Sequence, residues 1–125
     1  MPREDQVKLE FPGSPEYGRV ARIAAAQLAL RRGFSLHEID DLRLVMDEAA
    51  VMLLSPGLEV ERIELTYSMQ DDTVRVDVQA LPPDGPPISA DRIDRFGELA
   101  GDLIDEYTVD ATARRLTISK TRSAA

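Results

Sequence analysis

The stretch VERIELTYSMQDDTVRVDVQAL, residues 60–81, alternates apolar and polar side chains on both sides of Asp71 and Asp72. A period of two is typical of strands with one buried face, so this stretch predicts an antiparallel hairpin that turns at the two aspartates. A shift of register by one residue would turn every apolar side chain toward the opposite face. The turn therefore predicts four apolar pairs on one face: Met69 with Val74, Tyr67 with Val76, Leu65 with Val78, and Ile63 with Ala80.

A strand and two helices are predicted before this hairpin. Residues 6–11 alternate like an edge strand, and a proline start and basic end predict a first helix over residues 15–32. Ser35 and Glu38 have the spacing of a capping box, so a second helix is predicted to begin there and run to Leu54. Because this helix is apolar on several sides, we expect it to be sandwiched between the sheet and the first helix.

The residues after the hairpin predict one more helix and two closing strands. A loop over residues 82–87 holds four of the eight prolines, which favours a stiff segment without regular structure. An amphipathic helix is predicted to follow the cap residue Ser89 and to extend to Ile104. Residues 107–109 and 116–120 then have the pattern of short strands.

The element order is that of a single α+β domain over residues 1–125, with a mostly antiparallel sheet and the helices packed on one face. In the last turn, Arg114 and Arg115 are expected to be exposed to solvent. The tail after Thr121 is expected to be frayed.

The composition argues against several classes of function. Fifteen Lys and Arg residues against 23 Asp and Glu residues give a net charge of −8, which disfavours binding to nucleic acid or to an anionic membrane. The apolar runs are too short for a membrane span, and the charged start at residues 1–5 does not resemble a secretion signal. A cytoplasmic protein is therefore expected. The chain has no cysteine and a single histidine, His37, so no metal site is expected.

Residues 41–52, DLRLVMDEAAVM, resemble the N-box helix of the bacterial anti-sigma-factor serine kinases. These kinases belong to the histidine-kinase-like ATPase superfamily, whose Bergerat fold has the element order predicted above. Residues 96–107, FGELAGDLIDEY, are similar to the segment in which that family has a Gly-Leu-Gly-Leu turn running into a helix. The resemblance spans residues 9–119.

The resemblance implies site roles for a few residues, most of which differ from the family pattern. Glu48 stands where the family has the glutamate that activates a water or a protein hydroxyl. Met52 replaces the asparagine that holds Mg²⁺, and a soft thioether is a poor ligand for this hard cation. Asp84 and Gly85 are the nearest relic of the Asp-x-Gly motif that reads adenine.

The phosphate lid of the family is also altered in this sequence. The lid should lie within residues 84–95, where the family is rich in glycine, but this region follows and includes prolines. Proline has no backbone N–H with which to cradle a phosphate. The resemblance therefore implies that nucleotide binding is lost or weak, and no cofactor is expected.

Three functions remain open on these residues. The first is a noncatalytic, anti-sigma-factor-like regulator that binds a sigma factor or an anti-sigma antagonist. The second is an active serine kinase that uses ATP and Mg²⁺ with Glu48 as its base, and the third is a dimerising adaptor. Arg19 and Arg22, one turn apart on the first helix, are candidate partner contacts, although exposed helix arginines are often only solvated. A homodimer is a further possible partner state.

Overall fold

The computed structural model describes residues 5–123 as one five-stranded antiparallel sheet with a layer of three helices. The strand order is β1-β2-β3-β5-β4. The elements are β1 (Asp5–Pro12), a 3₁₀ turn (Pro15–Tyr17), α1 (Gly18–Arg31), α2 (Leu36–Leu54), β2 (Arg62–Gln70), β3 (Thr73–Leu81), α3 (Ala90–Ala100), a second 3₁₀ turn (Gly101–Leu103), β4 (Glu106–Asp110) and β5 (Arg115–Thr121).

The central hairpin has the predicted register. All four predicted apolar pairs are formed between β2 and β3, and β1 is an edge strand as expected. Asp71 adopts the left-handed backbone conformation, with φ of 54°, which is the conformation that a tight two-residue turn requires. The predicted α+β class, with a mostly antiparallel sheet, is confirmed.

The predicted start of α2 is also confirmed. The Ser35 hydroxyl accepts a hydrogen bond from the Glu38 backbone N–H at 3.2 Å, and the Glu38 carboxylate accepts one from the Ser35 N–H at 2.9 Å. The first helix begins later than predicted, because residues 15–17 form a 3₁₀ turn. At Gly18 the two helices are close, since a Cβ atom there would lie 2.9 Å from the Ala50 Cβ.

The predicted position of α2 between the sheet and α1 is wrong. α1 reaches the sheet itself, because the buried Tyr67 hydroxyl donates a 2.9 Å hydrogen bond to the Ala21 carbonyl. Small side chains at Ala21, Ala25 and Ala29 are buried, so the backbone of α1 can approach the sheet closely. α2 packs beside α1 on one side and beside α3 on the other, which explains its apolar side chains on several faces.

The third helix ends earlier than predicted. It stops at Ala100, and the segment up to Leu103 forms a 3₁₀ turn before the backbone becomes extended at Ile104. Ile104 is buried in this conformation, and the next residue, Asp105, donates its backbone N–H to the Ser119 carbonyl at 3.0 Å. Burial of Ile104 and strand pairing therefore replace the last predicted helical turn.

The described tail is not frayed, contrary to expectation. The Arg122 N–H donates to the Asp72 carbonyl at 2.7 Å, and both the N–H and the hydroxyl of Ser123 donate to Glu38 Oε2, at 2.8 and 2.9 Å. Residues 124–125 lie outside the described residues, as does most of the charged N-terminal segment. No helix among the described residues has an apolar stretch long enough to cross a bilayer.

The hydrogen bonds to Glu38 predict an acid-sensitive contribution to stability. Backbone N–H groups of Ser35 and Ser123 favour the ionised carboxylate and lower the pKa of Glu38 from 4.5 to about 2, with smaller contributions from the two hydroxyls and with burial opposing the shift. Between these pH values the unfolded chain binds more protons, so the contribution is fully present above pH 4.5 and is lost as the pH falls toward 2. We expect Glu38→Gln to lower the urea midpoint at neutral pH, with the difference from the parent shrinking below pH 4.5.

The control for this experiment is Glu98→Gln, because Glu98 is exposed on α3. Its midpoint should follow that of the parent at every pH. A Glu38→Gln difference that stayed constant down to pH 3 would contradict the assigned role of the charge.

Candidate functional site

Glu48 and Met52 lie on one face of α2 and line a cleft of about 180 Å³ between α2 and α3. The opposite wall carries Arg92, Arg95 and Phe96 from α3. The spacing of four residues on a helix places Glu48 and Met52 one above the other, as the sequence predicts. The cleft therefore unites the two positions to which the resemblance gives chemical roles.

The Glu48 carboxylate is paired with a cation. Its side chain is 12% exposed, and Oε1 accepts a hydrogen bond from Arg95 Nη2 at 3.2 Å. Arg92, one turn earlier on α3, donates to the Pro56 carbonyl at 2.6 Å in the loop that follows α2. The two arginines thus connect α3 to α2 and to the loop that follows α2.

Met52 forms part of the hydrophobic core. Its side chain is only 2% exposed, beside the buried Phe96 at the base of the cleft. A thioether sulfur offers no hard oxygen ligand to Mg²⁺. Among the described residues, no group of three or more His, Asp or Glu side chains is arranged to hold a metal ion.

Asp84 and Gly85 lie outside this cleft, in the proline-rich loop after β3, and Gly85 packs against Arg114. A Cβ atom on Gly85 would lie 2.4 Å from Arg114 Nη1, so a larger residue here would have to displace the guanidinium. The expectation that Arg114 is exposed is wrong, because its side chain is fully buried. Arg115 is exposed, as expected.

Arg114 links two loops by hydrogen bonds to backbone carbonyls. Nη1 donates to the carbonyls of Leu58 and Pro86, the latter at 3.0 Å, and Nη2 donates to that of Glu59 at 3.1 Å. Its backbone φ is 60°, the left-handed conformation that turns β4 into β5. Within the described part of the chain, Arg114 Nε–H meets no acceptor. This buried cation is the main feature of the site region that the sequence reasoning missed.

Arg19 and Arg22 lie on α1, away from the cleft. Arg22 Nη1 contacts both carboxylate oxygens of Asp47 at 3.2 Å, which joins α1 to α2, and Arg19 is exposed. His37 is exposed and lies 3.6 Å from Asp41, so it takes no part in the cleft. The structure therefore separates the candidate partner contacts from the candidate nucleotide cleft.

Comparison with known proteins shows similarity to one kind of kinase. The chain is 32% identical over 77 residues to the serine-protein kinase RsbW of Listeria innocua, a match that covers 59% of this chain and 49% of the relative. RsbW of Oceanobacillus iheyensis is 28% identical over 79 residues, covering 61% and 50%. The chain thus spans about half the length of these relatives. No protein-family profile matches the sequence.

The fold matches a solved structure over nearly the whole chain. The crystal structure of the RsbU and RsbW domains of Rv1364c from Mycobacterium tuberculosis superposes with a TM-score of 0.67 and covers 94% of this chain and 32% of that chain. The sequence identity is 15%, so this match speaks to the fold alone. The sequence is thus similar to that of the RsbW serine-protein kinases, and together with the shared fold this similarity supports the expected histidine-kinase-like ATPase fold.

Proposed function

We propose that this chain is a noncatalytic regulator of the anti-sigma type, which binds a sigma factor or an anti-sigma antagonist in the cytoplasm. The observation that carries the proposal is the pairing of Glu48 with Arg95 directly beside the buried Met52. A catalytic base must reach the proton that it removes. Here the carboxylate already holds a guanidinium, and the position that should supply a magnesium ligand supplies a core thioether.

The two loops that Arg114 connects, outside the cleft, support the same proposal. Arg114 fills the space between the loop after α2 and the proline-rich loop after β3, and it uses the carbonyls of Leu58, Glu59 and Pro86. Gly85, which belongs to the nearest relic of the adenine motif, is in contact with this guanidinium. With Arg114 held in this position and a thioether at the position of the magnesium ligand, we propose that nucleotide binding is lost or weak.

The charge of the chain favours a protein, rather than a nucleic acid, as its partner. The net charge of −8 repels the phosphates of nucleic acid and attracts a basic protein surface during encounter. The proposed positive contacts on α1 for an acidic segment of the partner are Arg19, which is exposed, and Arg22, which is paired with Asp47 in the free chain. We propose in addition that two copies of the chain associate.

Purification of the tagged chain from its native cells tests the proposed function. We expect a sigma factor or a small antagonist domain to copurify equally well with Mg-ATP present and after enzymatic removal of nucleotide. The double change Arg19→Glu and Arg22→Glu should reduce the recovery of that partner. The matched control is Arg62→Glu and Arg75→Glu, which alters the net charge equally at two exposed side chains of the sheet.

The other two functions give different results in the same preparation. Recovery that requires Mg-ATP, together with micromolar affinity for Mg-ATP by calorimetry, would favour the active kinase with Glu48 as base. Recovery of the chain alone would favour the dimerising adaptor. Nucleic acid recovered without any protein partner would contradict all three.

A further inference from the structure

β4 forms an open edge of the sheet. It lies last in the strand order, and among the described residues 5–123 it pairs with β5 alone. Alternate residues of an edge strand direct their backbone N–H and C=O groups away from the sheet, where a further strand can bind them. Proline and lysine often protect such edges, and β1, the opposite edge, has both at Lys8 and Pro12. The sequence of β4, EYTVD, has neither, so β4 is a template for one more strand.

Tyr107 fixes this edge against α3. Its ring packs edge-on against the buried Phe96, with a distance of 5.4 Å between the ring centroids. A Cβ atom on Gly97 would lie 2.6 Å from the Tyr107 hydroxyl oxygen, so the ring lies close to the backbone of α3. The side chain is also 37% exposed, so it offers apolar surface beside the edge. Because β4 is already ordered, a segment that pairs with it pays most of the ordering cost itself.

The residues around this edge are strongly acidic. Between Arg95 and Arg114 the sequence has five Asp and Glu residues and no lysine or arginine. Asp102 lies in the turn that leads into β4, and Glu106 is the first residue of the strand. Both side chains are exposed, and within the described part of the chain neither forms a hydrogen bond or an ion pair. Their charge favours a basic partner segment.

We propose that β4 binds an extended, basic segment of a protein partner as an additional strand of the sheet. This inference rests on the proposed function and names a contact of the partner that is separate from the contacts on α1. An added strand continues the two faces of the sheet. Its side chains on the helix side would lie beside Tyr107 and Val109, which pair with buried residues of β5, and those on the open side would lie beside Glu106. The segment that fits therefore alternates apolar and basic side chains.

Titration of the purified chain with a short synthetic peptide of alternating lysine and valine tests the proposed strand. We expect saturable binding, which the double change Asp102→Lys and Glu106→Lys should weaken about tenfold, because attraction at two positions becomes repulsion. The matched control is Glu61→Lys and Glu64→Lys, which changes the net charge equally at two exposed acids on the β2 side of the sheet. This control should bind the peptide like the parent. Absence of saturable binding, or an equal loss in both variants, would overturn the proposal.

A second peptide separates strand addition from simple attraction between charges. It has the same sequence with N-methylated backbone amides, so it keeps its charge but cannot donate backbone hydrogen bonds. We expect it to bind about tenfold more weakly or less, since each lost hydrogen bond contributes roughly 1 kcal/mol. Only the unmodified peptide should slow hydrogen exchange of the backbone amides of residues 106–110. Equal affinity of the two peptides, or unchanged exchange in β4, would refute the pairing.

These measurements are independent of the test of the proposed function. They use only the purified chain and a synthetic peptide, whereas the proposed function is tested by the protein that copurifies from native cells. A peptide that fails to bind would remove the contact at β4 and leave the recovery of a sigma factor or an antagonist unaffected.

Discussion

Replacing Arg114 by methionine should destabilise the chain by about 3 kcal/mol or more, because three backbone carbonyls would lose a charged donor worth roughly 1 kcal/mol or more each. Methionine has a similar length and no donor, so the change removes the hydrogen bonds with little loss of volume. Urea unfolding would show a lower midpoint without a large change in slope. Arg114→Lys should fall between methionine and the parent, because a single ammonium cannot reach all three carbonyls in the geometry of the guanidinium fork.

The neighbouring arginine provides a matched control for this prediction. Arg115 is exposed and lies 3.7 Å from Asp77, so Arg115→Met should change stability by no more than about 0.5 kcal/mol. Gly85→Ala changes the other partner of the contact with Arg114. It should also destabilise the chain, since the added Cβ would have to displace Arg114 Nη1. If Arg114→Met unfolded at the parent midpoint, the cost of burying the guanidinium would cancel its hydrogen bonds, and Arg114 would not stabilise the loops.

The period of two in β5 indicates why Arg114 is buried, although arginine is a residue type that is usually exposed. Leu116 and Ile118 face the helices, and the same alternation extended backward places Arg114 on the inner face. Extended forward, it places Lys120 there too, and this side chain is buried with its ammonium donating to the Leu103 carbonyl at 2.6 Å. The alternation was therefore informative at both ends of the strand. The residue types alone favoured a solvated turn.

Local patterns predicted the parts of the fold whose partners are close in the sequence. The β2–β3 register depends on a two-residue turn, and the start of α2 depends on Ser35 and Glu38, which are three residues apart. The errors at the C-terminal tail and at Arg114 involve partners that are distant in the sequence. Ser123 reaches Glu38 across 85 positions, and Arg114 reaches Leu58 across 56, so no short-range pattern could indicate either contact.

In the candidate site, too, the contacts within one helix were predictable and the contact with a distant helix was not. The spacing of Glu48 and Met52 on α2 predicts that they share a face, and the structure places both in one cleft. The cation that Glu48 meets comes from Arg95, on a helix that follows the whole β2–β3 hairpin. A single sequence predicts which side chains a helix presents together, but the element that covers them depends on the tertiary packing.

Met52→Ala should cost about 2 to 5 kcal/mol of stability, as large-to-small changes of buried side chains do. The side chain is 2% exposed, and its truncation would leave a void beside Phe96 at the base of the cleft. Met52→Asn should also destabilise, because the amide would be buried at a site built around a thioether, without an assigned hydrogen-bond partner. Urea unfolding of both variants against the parent measures the two effects.

The comparison with Val51→Ala separates a closed core from an open cleft. Val51 is the preceding residue on α2, lines the same cleft and is 44% exposed, so its truncation should stay within about 0.5 kcal/mol. In an open nucleotide site, Met52→Ala and Met52→Asn would be as mild as this control, and asparagine would restore an oxygen ligand for Mg²⁺. Urea midpoints close to that of the parent for both Met52 variants would therefore contradict the closed site and favour the kinase alternative. If both Met52 variants lose much of their stability while Val51→Ala keeps that of the parent, the position of the magnesium ligand is now part of the hydrophobic core.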